Sequence, residues 1–349
     1  MIRIIAIALA ITCAALAEEN LRESLWVWGN PEMTREGRHT ASSFAQASPM
    51  ERARILGAPN AIMAGLGLPN TDEAAQRDMA GLNEARRVVW EIAPKAGGEG
   101  ASFDYSEPIA RVKRLAAQYP SIEGVLLDDM STVAVDAGLK PEHIRAIRDQ
   151  LGADNARIRI WGVVYTMNLR DPKLDAYVRE LDVINLWTWH ARDLPELANN
   201  VAYCAAQWPD KPIVLGLYLH DYGEGRSVPA ELLRLQNEIA LSLARDKRVR
   251  GMVYLTINNE PETVLQTAQW LREQTGQPQT EKRIQLGNGE AWSVSGGPWS
   301  EDQEGAIRPP DALIPRRNNG DSFASNNPGP DQPAPAPLNP DTGRQNNQG

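Results

Sequence analysis

Residues 123–132 read EGVLLDDMST, an apolar run that ends in two adjacent aspartates. The apolar residues 125–127 have the composition of a buried strand. Asp128 and Asp129 follow at once, although a carboxylate is costly to remove from water unless something pairs with it. The stretch therefore predicts a buried strand whose carboxyl end opens into a polar mouth where a ligand binds.

Segments of the same kind recur between residues 24 and 275, and segments with helical periodicity separate them. The strand-like segments are SLWVWG (24–29), NAIMAGLGL (60–68), RVVWEIA (87–93), IEGVLLDDM (122–130), RIRIWGVVY (157–165), DVINLWTWH (182–190), PIVLGLYLHDY (212–222) and VRGMVYLTI (249–257). Eight strands that each precede a helix predict an α/β protein with a (β/α)₈ barrel fold. A doubly wound open sheet is the alternative, but the strand count and the length of about 250 residues favour closure.

The N-terminus has the composition of a cleavable secretory signal peptide over residues 1–17. One early cation, Arg3, precedes an apolar stretch that closes with Ala15-Leu16-Ala17, an A-x-A cleavage signature. The apolar stretch is shorter than the roughly 20 residues needed to span a bilayer. We therefore expect a secreted or periplasmic protein that is not membrane-bound after cleavage.

The other end of the chain differs from the predicted barrel in composition. Residues 276–316 predict a short extension with some β-structure, and residues 317–349 are rich in Asn, Pro and Gly, which predicts a disordered tail. The chain has two cysteines, Cys13 and Cys204. Since Cys13 would leave with the signal peptide, no disulfide within the mature chain is expected. The net charge of −9 argues against a nucleic-acid partner.

Alternation along the strands predicts which side chains face the barrel interior. The predicted inward residues are Trp26, Trp28, Gly65, Gly67, Glu91, Leu126, Asp128, Trp161, Tyr165, Trp187, Trp189, Tyr218, His220, Tyr254 and Asn258. Carboxylates, histidine and aromatic residues collect at the carboxyl ends of the strands, where barrels of this kind place their chemistry.

Two carboxylates at this mouth fit the requirements of glycoside hydrolysis, which uses an acid and a nucleophile or base. Glu91 ends the third strand and Asp128 the fourth. Neighbouring strands lie about 4.8 Å apart, so the two carboxyl groups could approach the roughly 5–5.5 Å separation of a retaining pair. Asp221, after the seventh strand, is a second possible partner. Asp129 binds substrate or, alternatively, points outward and caps the following loop.

Aromatic and polar side chains at the same mouth predict a carbohydrate-binding surface, because sugar rings stack on flat apolar faces with polar edges. His190 and His220 could orient carboxylates or bind hydroxyls. The predicted substrate-binding residues are Trp28, Asp129, Tyr165, Trp187, Trp189, His190, Tyr218, His220, Tyr254 and Asn258. No cofactor and no metal ligand set is expected.

Residues 24–275 resemble secreted bacterial barrel proteins of the glycoside hydrolase type. The pieces that carry the resemblance are IEGVLLDDM, VINLWTWHARDL and VLGLYLHDYG. The resemblance implies a carbohydrate substrate. The best-known glycosidase clan places glutamates at the ends of strands four and seven, where this chain has Asp128 and His220-Asp221, so the catalytic residues differ from that pattern.

Two alternatives remain open at the level of sequence. The first is a carbohydrate-binding barrel without catalysis, in which the tryptophans alone bind the ligand. The second is a metal-dependent hydrolase. It is less favoured, because strand one carries W-V-W where metal-dependent barrel amidohydrolases carry H-x-H, and no H-E-x-x-H motif occurs.

Overall fold

The computed structural model describes residues 21–29, 48–65, 69, 71–94, 103–256 and 261–275, together with four two-residue strands nearer the C-terminus. Eight parallel strands form a closed barrel within these ranges, which confirms the (β/α)₈ prediction. The strands are β1 (Leu25–Gly29), β2 (Asn60–Met63), β3 (Arg87–Glu91), β4 (Ile122–Leu127), β5 (Arg159–Tyr165), β6 (Val183–Trp187), β7 (Ile213–Tyr218) and β8 (Gly251–Leu255).

One helix follows each strand on the outside of the barrel. The helices are α1 (Pro49–Leu56), α2 (Asp72–Gly81), α3 (Ser106–Gln118), α4 (Pro141–Leu151), α5 (Leu174–Glu180), α6 (Leu197–Gln207), α7 (Ala230–Arg245) and α8 (Pro261–Gln274). The local sequence accounts for the limits of α1. Ser48 and Glu51 form a reciprocal capping box, Pro49 occupies the first turn, and Gly57 ends the helix in a left-handed conformation.

The barrel closes because β1 pairs with both the second and the last strand. Trp26 lies opposite Asn60 on one side and Val253 on the other. The remaining strands follow in chain order around the ring. Closure brings all eight carboxyl ends to one face of the molecule, so side chains that are remote in sequence can share one cavity.

Two apolar layers surround the strands, one between strands and helices and one inside the barrel. The buried interior residues are Trp26, Trp28, Ile62, Ala64, Val89, Leu126, Trp161, Val163, Tyr165, Val183, Trp187, Val214, Tyr218, Val253 and Leu255. Seven of the predicted inward residues belong to this layer, namely Trp26, Trp28, Leu126, Trp161, Tyr165, Trp187 and Tyr218. The barrel is therefore a packed core and not an open channel.

The prediction that Tyr254 faces the barrel interior is wrong. Its side chain is fully buried in the outer layer, and its hydroxyl donates to Asn237 Oδ1 of α7 at 3.1 Å. Its neighbours Val253 and Leu255 face inward instead. Because β8 is buried on both faces, its sequence has no polar–apolar alternation that fixes the register.

Large aromatic rings fill the barrel interior, and small residues make room for them. Trp28 meets Trp187 edge to face, with ring centroids 5.4 Å apart. Trp187 lies over Gly216, where an added Cβ would fall 1.9 Å from the indole ring. Asn185 fixes the same indole by accepting a hydrogen bond from its Nε1 at 2.8 Å. Trp187 is thus held in one position below the mouth.

Substitution of Gly216 by alanine should destabilise the barrel, because neither the strand backbone nor the enclosed Trp187 ring can move away from the new methyl group. We expect the free energy of unfolding to fall by about 3 kcal/mol, as overpacked cores do. Urea denaturation measures the change. The matched control is Gly81→Ala in α2, where an added Cβ meets nothing within 4 Å. Equal stability of both variants would show that Trp187 is not held against β7.

The predicted C-terminal extension contains two short antiparallel strand pairs. Ile284–Gln285 pairs with Ala291–Trp292, and Ser300–Glu301 pairs with Ile307–Arg308. The predicted tail, residues 317–349, lies outside the described residues.

The predicted signal peptide, residues 1–17, also lies outside the described residues. Among the residues that are described, no helix is both long and apolar enough to cross a bilayer. Cys204 is a free, fully buried cysteine on α6 and packs as a small apolar side chain.

Candidate active site

Three carboxyl groups lie together where β3 and β4 end. Glu91 is paired with Leu126 across the two strands, so Asp128, two residues further on, projects to the same inward side. Asp129 follows directly. All three side chains are half-buried, which places them in the protein wall while leaving them accessible from the mouth. The expected proximity of Glu91 and Asp128 therefore follows from the strand register.

The pKa values of Glu91 and Asp128 are both raised. Burial raises the pKa of Glu91 well above its ordinary value, the charge of Asp128 raises it further, and a hydrogen bond from Gly65 opposes the shift. Gly65 N donates to Glu91 Oε2 at 2.5 Å. Burial and the charge of Asp129 raise the pKa of Asp128 to about 7. The charge of an ionised Asp128 therefore favours a proton on Glu91.

Tyr105 lies close to the same pair. It precedes α3, its side chain is buried, and burial followed by the charge of Glu91 raises its pKa. A neutral phenol beside Glu91 adds no charge to the mouth. The sequence analysis did not identify this residue, because Tyr105 belongs to no predicted strand end.

Asp129 points into the barrel. Tyr165 donates its hydroxyl hydrogen to Asp129 Oδ1 at 2.5 Å, and the hydroxyls of Tyr165 and Tyr218 lie 3.4 Å apart. Since the Tyr165 proton is directed at Asp129, Tyr218 is the donor in the second contact. This chain of hydrogen bonds favours the substrate-side placement of Asp129 over an outward loop cap.

The backbone of Asp129 is left-handed, with φ 46° and ψ 29°. A non-glycine residue in this region carries a cost of order 1–3 kcal/mol, and such residues cluster at functional sites. A π-helical turn, Met130–Ala134, begins directly afterwards. Within it, the hydroxyl of Ser131 accepts from Tyr165 N at 3.0 Å and donates to Asn168 Oδ1 at 3.0 Å. Ser131 is thus a positioning residue that the sequence did not reveal.

Four aromatic side chains form one wall of the mouth, which we call the aromatic wall: Trp187, Trp189, Tyr218 and Tyr222. The ring centroids of Trp187 and Tyr218 are 4.5 Å apart, those of Tyr218 and Tyr222 4.8 Å, and those of Trp189 and Tyr222 5.4 Å. Trp189 and Tyr222 are half-buried and so present ring surface to a ligand. Tyr222 was not among the predicted site residues, although it is the last residue of the predicted strand segment 212–222.

A short hairpin, His220–Asp221 paired with Arg226–Ser227, covers the end of β7. The Asp221 side chain is buried, and its Oδ1 accepts hydrogen bonds from the backbone N–H groups of Gly223 at 3.1 Å and Glu224 at 3.3 Å. These contacts give Asp221 a role in shaping the turn. Burial and the charges of Asp128 and Asp129 raise the pKa of Glu91, burial and the charge of Asp129 raise the pKa of Asp128, and Asp221 contributes to neither shift.

Two histidines flank this hairpin. An added Cβ at Gly223 would fall 1.8 Å from His190 Nδ1, so the turn lies directly against the His190 ring. His220 stacks edge to face on Tyr222 with centroids 5.0 Å apart, and burial lowers its pKa, which favours the neutral imidazole. Within the described residues, Nδ1 of each histidine has no hydrogen-bond partner. Both nitrogens are buried, so they are unsatisfied within the protein and are not exposed at the mouth.

The remaining predicted site residues separate into three cases. Trp28 is buried deep in the barrel against Trp187. Tyr254 faces the helix layer, as described above, and Asn258 lies outside the described residues, as does Gly67. In the part of the chain that the structure describes, no group of three or more His, Cys, Asp or Glu side chains is arranged to hold a metal ion.

Two large apolar side chains are exposed at the rim beside Asp129. Val133 is 61% exposed and Met167 54% exposed. They lie on the turns that follow β4 and β5, and the Ser131–Asn168 hydrogen bond joins these turns. The rim therefore offers apolar contact area next to the carboxyl groups.

Replacement of Asp128 by asparagine should stabilise the protein at high pH. The folded-state pKa of about 7 exceeds the ordinary value of 3.8, so the folded chain holds a proton that the unfolded chain releases. The free energy of unfolding of the wild type therefore falls as pH rises from about 4 to about 7. The asparagine variant should gain on the order of 1–4 kcal/mol over the wild type at about pH 8 and little at about pH 4.

Urea denaturation at both pH values measures this gain. The control is Asp154→Asn, the same chemical change at an exposed position in a short turn. A gain that does not depend on pH, or an equal gain in the control, would contradict the assignment of a raised pKa to Asp128.

Comparison with known proteins supports the fold. A calcium-binding mutant of Bacteroides uniformis β-glucuronidase 2 aligns with a TM-score of 0.51 at 14% identity, over 76% of this chain and 35% of that chain. A chitinase from Chromobacterium violaceum aligns with a TM-score of 0.44 at 10% identity, over 73% and 99% of the two chains. No protein-family model matches the sequence, and no curated protein matches it. The likeness to the β-glucuronidase shows a shared fold.

Proposed function

We propose that the protein is a glycoside hydrolase that uses Glu91 and Asp128 as its catalytic pair. The observation that carries the proposal is the pair of carboxyl groups, both with raised pKa values, that the strand register brings to one side of an aromatic-walled mouth. Glycosidases need two carboxyl groups in different protonation states on the two sides of one bond.

The direction of the electrostatic interaction between the pair assigns the two roles. The charge of an ionised Asp128 raises the pKa of Glu91, which favours the state in which Glu91 holds the proton. Since Glu91 Oε2 accepts the Gly65 N–H, its proton resides on Oε1. Glu91 is then the general acid that transfers this proton to the glycosidic oxygen as the bond to the leaving sugar breaks. Asp128 is the carboxylate that attacks the anomeric carbon or activates a water molecule.

Asp129 and Tyr165 are not members of the catalytic pair, but they contribute to stabilisation of the transition state. Their hydrogen bond keeps the Asp129 carboxylate beside Asp128, where its negative charge stabilises an oxocarbenium-like transition state. The same charge raises the pKa of Asp128. Tyr165 is therefore a positioning residue for the carboxylate cluster.

The substrate class follows from the aromatic wall and the rim. Half-buried faces of Trp189 and Tyr222 suit the C–H faces of a sugar ring, and the half-buried carboxyl groups of Asp128 and Asp129 suit its hydroxyls. The predicted signal peptide of residues 1–17 extends the proposal to a polysaccharide or glycoconjugate outside the cytoplasm.

Removal of either member of the pair should abolish turnover without unfolding the barrel. We expect Glu91→Gln and Asp128→Asn each to lower kcat by about 10²–10⁴-fold, the usual contribution of a positioned acid or base. Asp221→Asn should remain active, since an asparagine Oδ1 still accepts the two turn hydrogen bonds. The measurement is hydrolysis of an oligosaccharide panel by the purified mature chain, with circular dichroism as the folding control. If Glu91→Gln keeps full activity, or if only Asp221→Asn loses activity, the general acid would be Asp221 and not Glu91.

A carbohydrate-binding barrel without catalysis is the second candidate, and the aromatic wall favours it. Calorimetric titration of the same oligosaccharides separates the two. In both cases Trp189→Ala should weaken binding by about 10-fold, or 1.4 kcal/mol. Binding with no turnover by the wild type at any pH between about 5 and 9 would establish the second candidate. No binding by the wild type would exclude both.

A further inference from the structure

A second cavity of about 600 Å³ lies at the opposite end of the barrel from the carboxyl pair. Its walls are the first residues of several strands, among them Arg87, Arg159 and Ile213, together with the segment that precedes β8. None of the site residues described above lines this cavity. It is therefore a separate feature of the fold.

Cations dominate the walls of this cavity. Six line it, namely Arg87, Arg159, Lys211, Lys247, Arg248 and Arg250, against two acidic residues, Glu123 and Asp210. The excess of positive charge contrasts with the net charge of −9 of the whole chain. A concave surface with one sign of charge concentrates counter-ions of the other sign.

Part of this charge has no partner in the protein. Arg87 is engaged, since its guanidinium lies 4.6 Å from the centroid of the Trp26 ring and 3.8 Å from Glu123. Lys211 donates to two backbone carbonyls. In contrast, the side chains of Lys247, Arg248 and Arg250 make no hydrogen bond or ion pair with the described residues.

Two buried indole rings form the base of the cavity, and their N–H groups are unsatisfied. Trp26 is 0% exposed and Trp161 3% exposed, both line the cavity, and neither Nε1 has an acceptor among the described residues. An indole N–H can only donate, and an unsatisfied buried donor costs about 1–3 kcal/mol.

Glycines let both indole edges lie directly against the strands. An added Cβ at Gly124 would fall 2.7 Å from Trp161 Nε1, and one at Gly251 would fall 2.9 Å from Trp26 Nε1. A side chain at either position would therefore displace the ring. Both Nε1 atoms are covered by the strands, and the rings themselves close the base of the cationic cavity.

We propose that this cavity binds the oxyanion group of a small ligand, a phosphate or a carboxylate. The exposed cations Arg248 and Arg250 supply charge and hydrogen-bond donors, and the rings of Trp26 and Trp161 form the base on which the ligand rests. Guanidinium groups pair well with both kinds of oxyanion because they present parallel donors. The proposal does not depend on the reaction at the other end of the barrel.

Titration with inorganic phosphate, and separately with citrate, at constant ionic strength tests the proposal. The readouts are the melting temperature and the ¹⁵N–¹H signals of tryptophan-labelled protein. We expect a saturable rise in melting temperature and selective shifts of two indole signals. Trp161→Phe should remove one of these signals and so assign it.

The double variant Arg248→Gln/Arg250→Gln should weaken anion binding at least 10-fold, the equivalent of 1.4 kcal/mol. The control is Arg77→Gln, which removes an exposed cation on α2, and its affinity should stay within about 2-fold of the wild type. The proposal is wrong if neither anion gives a saturable change, or if the control loses as much affinity as the double variant. If Trp161→Phe does not fold, the anion affinities of the double variant and of the Arg77→Gln control test the proposal without it.

Discussion

The hydrogen bonds that join β1 to β8 impose the constraint on which the rest of the structure depends. They turn a row of strands into a ring, so that the ends of β3, β4, β6 and β7 border one opening. The register inside the ring then fixes which side chains meet. Glu91 and Asp128 share a face only because Glu91 is paired with Leu126, two residues before Asp128. A shift of one residue between β3 and β4 would turn Asp128 toward the helices.

The carboxyl groups of Glu91, Asp128 and Asp129 lie together although like charges repel each other. Burial and the charges of neighbouring aspartates raise the pKa values of Glu91 and Asp128, and the left-handed backbone of Asp129 adds strain. The surrounding core offsets these costs, with Trp187 fixed between Asn185 and Gly216 below the cluster. Rigid support of this kind is what keeps two acids at different protonation states in one small volume.

Much of the fold could be predicted from the sequence, because eight strand–helix repeats leave a strong periodic pattern. The prediction also placed Glu91 and Asp128 on neighbouring strand ends. It failed for Tyr254, since a strand buried on both faces carries no polar–apolar alternation. It could not find Ser131, Tyr105 or Tyr222, because their roles arise from contacts between loops. The part played by Asp221 in its turn likewise depends on two backbone N–H groups that no motif indicates.

The two adjacent aspartates look equivalent in the sequence, yet the structure subjects them to different demands. Position 128 requires a titratable group, whereas position 129 first requires a residue that tolerates positive φ. Natural variation in related chains should therefore separate them: glycine and asparagine would be acceptable at 129 on backbone grounds, while 128 would admit only another acid. Substitution of Asp129 by asparagine or glycine would therefore remove the charge at this position and keep the left-handed backbone conformation.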